Sequence, residues 1–250
     1  MPRVRLDQLV LDKGLAPSRE RAKAVVLAGL VSVNGEVVSK AGTLVDAGAD
    51  VALEAPDHPY VGRGGLKLAH ALDTFGIAVT GREALDVGAS TGGFTDVLLQ
   101  RGATRVVALD VGHGQLDWRL RNDARVVVIE HFNARHLTLA DLPGPVDIVV
   151  IDVSFISLRQ ILPVLPPLLR PGADIVALVK PQFEAGREEV RKGVIRDAAV
   201  HARVLAEVTH AAAAVGLAKL GTDTSPITGQ KGNVEFLMHL RHPEPPPADQ

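Results

Sequence analysis

From residue 82 onward the chain alternates between short, apolar, β-branched runs and segments of helix length, and this alternation constrains the fold more than any other feature. The runs lie at 84–87, 105–109, 126–129, 146–151 and 174–179, and the longest helical segment between runs covers about 196–215. Strands that are apolar throughout, rather than at every second residue, must be covered on both faces. Covered strands separated by helices make a mostly parallel α/β sheet. The rhythm then changes. An extended segment at 217–224 is followed after a short loop by Gly232-Asn-Val-Glu-Phe-Leu-Met-His-Leu-Arg241. So tight a return predicts an antiparallel pair at the end of the sheet. The stretch 242–250 is Pro-rich and is expected to be disordered.

The first 56 residues read differently. Leu6, Leu9 and Val10 have helical spacing that ends at Gly14; Ala22, Val25 and Val26 repeat it until Gly29, with Ser18 as the expected N-cap. Asn34-Gly35 between β-branched residues predicts a tight hairpin, because both turn positions need positive φ. A further extended stretch at 50–54 precedes Pro56-Asp-His-Pro59. The expected organisation is therefore a small α+β module at 1–56, a linker at 57–61 and a larger α/β domain at 62–241.

Composition removes several function classes. The 250 residues carry 27 Lys and Arg against 29 Asp and Glu, a net charge of −2, so the chain is no polycationic tail. The absence of cysteine excludes disulfides, thiol catalysis and Cys-ligated metal sites. No apolar run reaches membrane-spanning length and the charged N-terminus is no secretory signal, so a cytoplasmic protein is expected. The nine histidines are scattered without a ligand motif, and no metal is expected.

Asp86-Val-Gly88-Ala89-Ser90-Thr-Gly92-Gly93-Phe94 follows an apolar run and opens a helix expected at 95–100. A strand, a glycine turn and a helix N-terminus form a cradle into which a cofactor can come close. The spacing is not the G-x-G-x-x-G of a nicotinamide site. Gly88-Ala-Ser90-Thr-Gly92 does satisfy the G-x-S-x-G of a hydrolase nucleophile elbow, though without the preceding strands or oxyanion motif of that fold. An ordinary tight turn is a third possibility. An S-adenosylmethionine site is the fourth, and a second acid suits it: Asp110 ends the next strand, 22 residues after Gly88, where a carboxylate can accept both ribose hydroxyls. Asn133, after the third run, serves either to position adenine or as a turn residue.

Four charges sit where apolar runs end or begin. Asp152 and Lys180 close the runs at 146–151 and 174–179; Lys67 follows the linker; Glu235 is expected inside an apolar strand at 234–238. A charge leaving a buried strand is costly unless exposed or paired, so a structural Asp–Lys pair competes with a functional role. Phe155, Phe183 and Trp118 are candidates either for packing or for stacking on a nucleotide turned out of its RNA.

Two resemblances gather these residues. The pattern R-L-D-x-L-V-x-x-x-G-L-A-x-S-R-E-x-A over about residues 3–50 resembles the S-four-like RNA-binding module. That implies that Arg5, Arg19, Arg21 and Lys23 face RNA; residues 1–25 carry six basic and three acidic side chains, which also suits a merely solvated helix face. The motifs R-G-G-x-K-L, D-V-G-A-S-T-G-G-F-T, D-x-S-F-I-S-L, L-V-K-P-Q-F-E and G-N-V-E-F resemble the TlyA-type (hemolysin A) branch of the FtsJ/RrmJ ribose methyltransferases over nearly the whole chain. The resemblance implies a Rossmann-like fold, S-adenosylmethionine as cofactor, 2′-O-methylation of cytidine ribose in ribosomal RNA, and ribosomal RNA or subunits as partner. It implies a catalytic tetrad falling on Lys67, Asp152, Lys180 and Glu235, and a cofactor site at Asp86, Gly88, Ala89, Ser90, Gly92, Gly93, Phe94, Asp110 and Asn133. Two other readings stand beside it: a non-catalytic RNA- or ribosome-binding protein, and a membrane-active hemolysin, which the lack of an apolar span or a strongly amphipathic basic helix disfavours.

Overall fold

The computed structural model describes residues 2–244 except 17, 28, 54–57, 187, 191 and 192, with Ala24 and Gln230 described by backbone only. Two compact units emerge, Met1–Pro59 and Tyr60–Gln250. Residues 54–56 of the expected first module, Asp57 of the expected linker and 245–250 of the expected disordered tail lie outside the described residues.

The first unit runs β1 (Arg3–Arg5), α1 (Leu6–Asp12), α2 (Arg19–Leu27), β2 (Val31–Val33), β3 (Glu36–Val37), β4 (Leu44–Asp46) and β5 (Val51–Leu53). Ser18 caps α2 by accepting the Arg21 N–H at 3.2 Å. Asn34 and Gly35, with φ of 53° and 83°, turn β2 into β3 as their sequence demands. β5 pairs antiparallel with the other side of β2. Leu6, Val10, Ala22, Val26 and Val31 are completely buried and anchor the core between helices and sheet. The β1–β4 pair was not foreseen. Its strands are three residues each, too short for a period-2 pattern, and β1 runs into α1 without a break.

The second unit runs α3 (Gly64–Phe75), β6 (Glu83–Val87), α4 (Gly93–Gln100), β7 (Arg105–Leu109), α5 (Trp118–Arg121), β8 (Val126–Ile129), β9 (Val146–Ile151), β10 (Leu169–Val179), α6 (Pro181–Glu184), α7 (Ala198–Ala214), β11 (Ala218–Thr224) and β12 (Phe236–Arg241). Its strands form one sheet in the order β11-β12-β10-β9-β6-β7-β8. β6 to β10 pair in parallel, and β12 is antiparallel to both neighbours. The expected antiparallel pair is present, but β12 inserts between β10 and β11. Burial decides the order: Leu237, Met238 and Leu240 are fully covered, whereas β11 is exposed or half-exposed along its length and suits the edge. Glu235 lies one residue ahead of β12 rather than inside it.

Alternate residues of the strands feed two apolar layers. Leu85, Val87, Leu109, Val149 and Ile151 face α7 through Val204, Val208 and Ala212. Ala84, Val106, Ile148 and Val150 face α3 and α4 through Leu68, Leu72, Val97 and Leu98. The β9–β10 connection on the first face makes three short 3₁₀ turns in place of a helix, because Pro163, Pro166 and Pro167 lack the N–H that a longer helix needs. At the N-terminal ends of the strands, Asp174 is 4% exposed and accepts from Arg82, His239 and Arg241. Burial opposes its charge, but the three donors outweigh that cost and hold the carboxyl below the usual carboxylate range.

Candidate active site

The parallel register sets the functional edge. Val87 lies level with Leu109 on one side and Ile151 on the other. The next residues along, Gly88, Asp110 and Asp152, therefore leave the sheet together at the C-terminal ends of their strands. Across the antiparallel pair Val179 stands opposite Phe236, which puts Lys180 and Glu235 one step beyond, on the same edge. This is also where chain order reverses, between β6 and β9, and where open α/β sheets bind ligands.

A cavity of about 540 Å³ opens there, lined by Val87, Gly88, Ser90, Leu109, Asp110, Val111, Gln115, Phe132, Asn133, Asp152 and Ser154, among others. Gly88 has φ +89°, and a Cβ on it would lie 2.5 Å from the carbonyl oxygen of Asp152. Only glycine lets strand end and neighbouring loop come so close. Asp110 latches this loop: its carboxylate accepts the Ser90 N–H at 2.8 Å and the Gly112 N–H at 2.6 Å. Each oxygen retains a second acceptor site for a ligand hydroxyl. Asn133 caps a 3₁₀ turn, its Oδ1 accepting from Arg135, and it also lines the cavity. The turn and ligand readings of Asn133 are compatible. Two carboxylates, a glycine-walled close approach and apolar sides suit an S-adenosylmethionine molecule, with its sulfonium charge, ribose diol and flat base.

Asp86, Gly92, Gly93 and Phe94 do not line that cavity. Asp86 shares the strand face of Ala84 and points into the α3/α4 layer, fully buried, where Thr95 Oγ1 donates to its Oδ2 at 2.7 Å and Oδ1 has no partner. Burial pushes its pKa up to about 7, the Thr95 hydrogen bond opposes the rise, and the nearby Asp152 and Asp110 charges add to it. Ser90 does adopt the positive φ, +49°, of a nucleophile elbow. Its hydroxyl, however, meets Gln115 Oε1 at 3.3 Å, and no histidine lines the cavity.

A second cavity, about 270 Å³, shares Gly88, Ser90, Asp152 and Ser154 with the first. Lys67, Lys180, Ala89, Gly93 and Phe94 also line it, with Arg63, Thr228 and Gly229. Here the four charges form two tight pairs. Lys67 Nζ lies 2.5 Å from Glu235 Oε2, and Lys180 Nζ lies 2.6 Å from Asp152 Oδ1. Lys67, Lys180 and Glu235 are each at most 9% exposed, so these are desolvated pairs of the kind that constrain geometry. Lys67 comes from α3, a helix that the sequence pattern does not announce.

Glu184, at the end of α6, is a further site residue that the sequence reading missed. Its buried carboxylate accepts from Ser157 Oγ at 2.5 Å and from the Leu158 N–H at 2.7 Å. It thereby ties the loop that carries Asp152 and Ser154 to the segment that follows Lys180. Its position in L-V-K-P-Q-F-E, four residues after Lys180, was the available signal. Phe155 lies in the same loop with φ +63° and is 88% exposed, its ring 5.0 Å from that of Phe183. Trp118 is likewise exposed. In the first unit Arg19, Arg21 and Lys23 lie on the exposed face of α2. Arg5 is exposed but engaged, donating twice to the buried carboxylate of Asp7, which it holds below the usual range.

Comparison with known proteins agrees with this geometry. The family model of the S4 domain matches residues 4–51, and that of the FtsJ-like methyltransferases matches residues 60–242. The 16S/23S rRNA (cytidine-2′-O)-methyltransferase TlyA of Mycobacterium tuberculosis is 48% identical over 96% of this chain and 90% of its own. A solved structure from Streptococcus thermophilus that carries a hemolysin name is 48% identical and superposes with a TM-score of 0.78, covering 98% of this chain and 90% of the other. An S-adenosylmethionine-dependent methyltransferase of Mesorhizobium loti, at 16% identity, shares the fold with a TM-score of 0.51 over 69% of this chain and 96% of its own. Fold, cofactor-shaped cavity and family model converge: the chain belongs to the FtsJ-like methyltransferases, with an S4 domain preceding the catalytic one.

Proposed function

We propose that the protein methylates the 2′-hydroxyl of a cytidine ribose in ribosomal RNA, acting in the cytoplasm on ribosomal RNA or ribosomal subunits. The observation that carries this reading is the second cavity. Two paired lysines face a space that opens directly into the cofactor-shaped one, and it is of a size for a single sugar. The relative named above supplies the nucleotide, since its name specifies cytidine in ribosomal RNA.

The chemistry asked of the chain is modest. S-adenosylmethionine, when bound, supplies an electrophilic methyl group on a sulfonium. A ribose hydroxyl is a weak nucleophile at neutral pH and must be oriented and relieved of its proton as it attacks. Gly88, Ser90, Asp110 and Asn133 hold the cofactor, with Ala89, Gly92, Gly93 and Phe94 shaping the turn behind it and Asp86 bracing the turn from the core. Lys180, which lines the second cavity beside the shared Asp152 and Ser154, contacts the hydroxyl. Asp152 fixes Lys180, and Glu235 fixes Lys67, which adds positive potential for a developing alkoxide. Arg5, Arg19, Arg21 and Lys23 of the first unit bind RNA through phosphate and shape, as suits folded RNA.

Purified protein incubated with ribosomal subunits and methyl-labelled S-adenosylmethionine tests this. Label should appear at a cytidine 2′-oxygen. Lys180→Ala should abolish transfer while keeping cofactor affinity within about tenfold, equivalent to about 1.4 kcal/mol. Lys180→Arg keeps the charge but cannot surrender a proton; loss of activity fits a base, and substantial activity fits alkoxide stabilisation. Near-normal turnover by Lys180→Ala would refute the assignment.

A further inference from the structure

We infer that Ser154 is a positioning residue for the methyl-transfer reaction, setting the rotation of the Lys180 amine so that one tetrahedral position of Nζ faces the ribose cavity. The inference rests on the reading of Lys180 given above. Lys180 Nζ donates to Ser154 Oγ at 3.0 Å, besides its 2.6 Å contact with Asp152 Oδ1. An amine nitrogen at the end of a lysine has three positions around it beyond its Cε bond. Ser154 takes one by a hydrogen bond, and the Asp152 charge attracts a second without a hydrogen bond to Oδ1. The third is the one left for the cavity that Lys180 lines.

In the ammonium form that third position carries an N–H, the donor that a developing alkoxide needs. In the neutral amine it carries the lone pair, the acceptor that the ribose proton needs. Both states of the cycle use the same direction, so the proton moves from ribose oxygen to Nζ without the side chain having to turn. Without Ser154 the amine keeps only its charge contact with Asp152, which sets no hydrogen-bond direction, and the rotation is no longer specified. Ser154 lines both cavities, and it lies in the loop that Glu184 ties down through Ser157 and Leu158. The serine oxygen is therefore presented by a braced segment.

The charged groups facing Lys180 are Asp152 from the loop after β9, and Arg63 and Lys67 from the start of α3. Glu235, ahead of β12, acts through Lys67.

The test compares Ser154→Ala with wild type in the full-length protein, with Lys180→Ala in parallel. Ser154→Ala should lower kcat by about ten- to a hundredfold, the scale of a misoriented catalytic group. KM for ribosomal RNA and the calorimetric affinity for S-adenosylmethionine should stay within about threefold. Ser154→Thr, which keeps a hydroxyl acceptor for Lys180 Nζ, should restore most of kcat, a rescue that a role without that acceptor would not produce. Unchanged kcat in Ser154→Ala beside an inactive Lys180→Ala would overturn the Ser154 inference alone. A Ser154→Thr variant as slow as Ser154→Ala would also overturn it. Turnover by Lys180→Ala would overturn the Lys180 reading and, with it, this one.

Discussion

Asp86 shows what a single residue's face on a strand decides. Its folded pKa is raised from 3.8 to about 7, chiefly by burial, so folding favours the neutral acid. The stability that this proton contributes is whole below about pH 4 and is lost as pH rises through about 7. Asp86→Asn replaces the neutral acid by a neutral isostere. At pH 8.5 it should unfold at higher urea concentration than wild type, by at most about 4 kcal/mol, and near pH 5 the gap should narrow. Parallel unfolding curves across that range would show that Asp86 stays ionised in the fold. In the sequence Asp86 reads as a cofactor residue because it stands two places before Gly88 at the end of an apolar run. The run at 84–87 was legible, but not which face of β6 looks toward α4; that face carries Asp86 and leaves Gly88 as the first residue at the edge. Asp110 was the easier residue to read. It directly follows its strand, so no question of face arises.

At the scale of elements, the apolar runs and the Asn34-Gly35 hairpin were legible, whereas the β1–β4 pair and α3 were not. The seven strands of the second unit and the 17-residue helix α7 follow from composition and spacing. By contrast, α3 begins Gly64-Gly65, residues that disfavour helix on propensity; Gly65 is needed because a Cβ there would run into the Tyr60 ring. The place of β12 within the sheet was hidden too, since a tight antiparallel return fits either order. In the first unit, α2 buries Ala22, Val25 and Val26 and exposes Arg19, Arg21 and Lys23. Arg19→Ala combined with Lys23→Ala should weaken RNA binding and flatten its dependence on salt, because a helix face that neutralises fewer phosphates releases fewer counterions. Affinity for S-adenosylmethionine should be unchanged. Filter-binding curves with the wild-type salt slope would mean that this helix face is only solvated.

The whole molecule joins an S4 domain to an FtsJ-like methyltransferase, and both were readable as resemblances spread over most of the chain. The tetrad residues were nameable from motifs, but their pairing was not: only the structure joins Lys67 to Glu235 and Lys180 to Asp152, side chains far apart in sequence. The central claim is that this assembly modifies ribose in ribosomal RNA through Lys180. Mapping 2′-O-methylation nucleotide by nucleotide tests it most directly, in ribosomal RNA from cells lacking the gene and from the same cells complemented with wild type or Lys180→Ala. At least one cytidine should carry a ribose methyl that disappears with the gene, returns with wild type and stays absent with Lys180→Ala. Identical maps with and without the gene, or full restoration by Lys180→Ala, would contradict it.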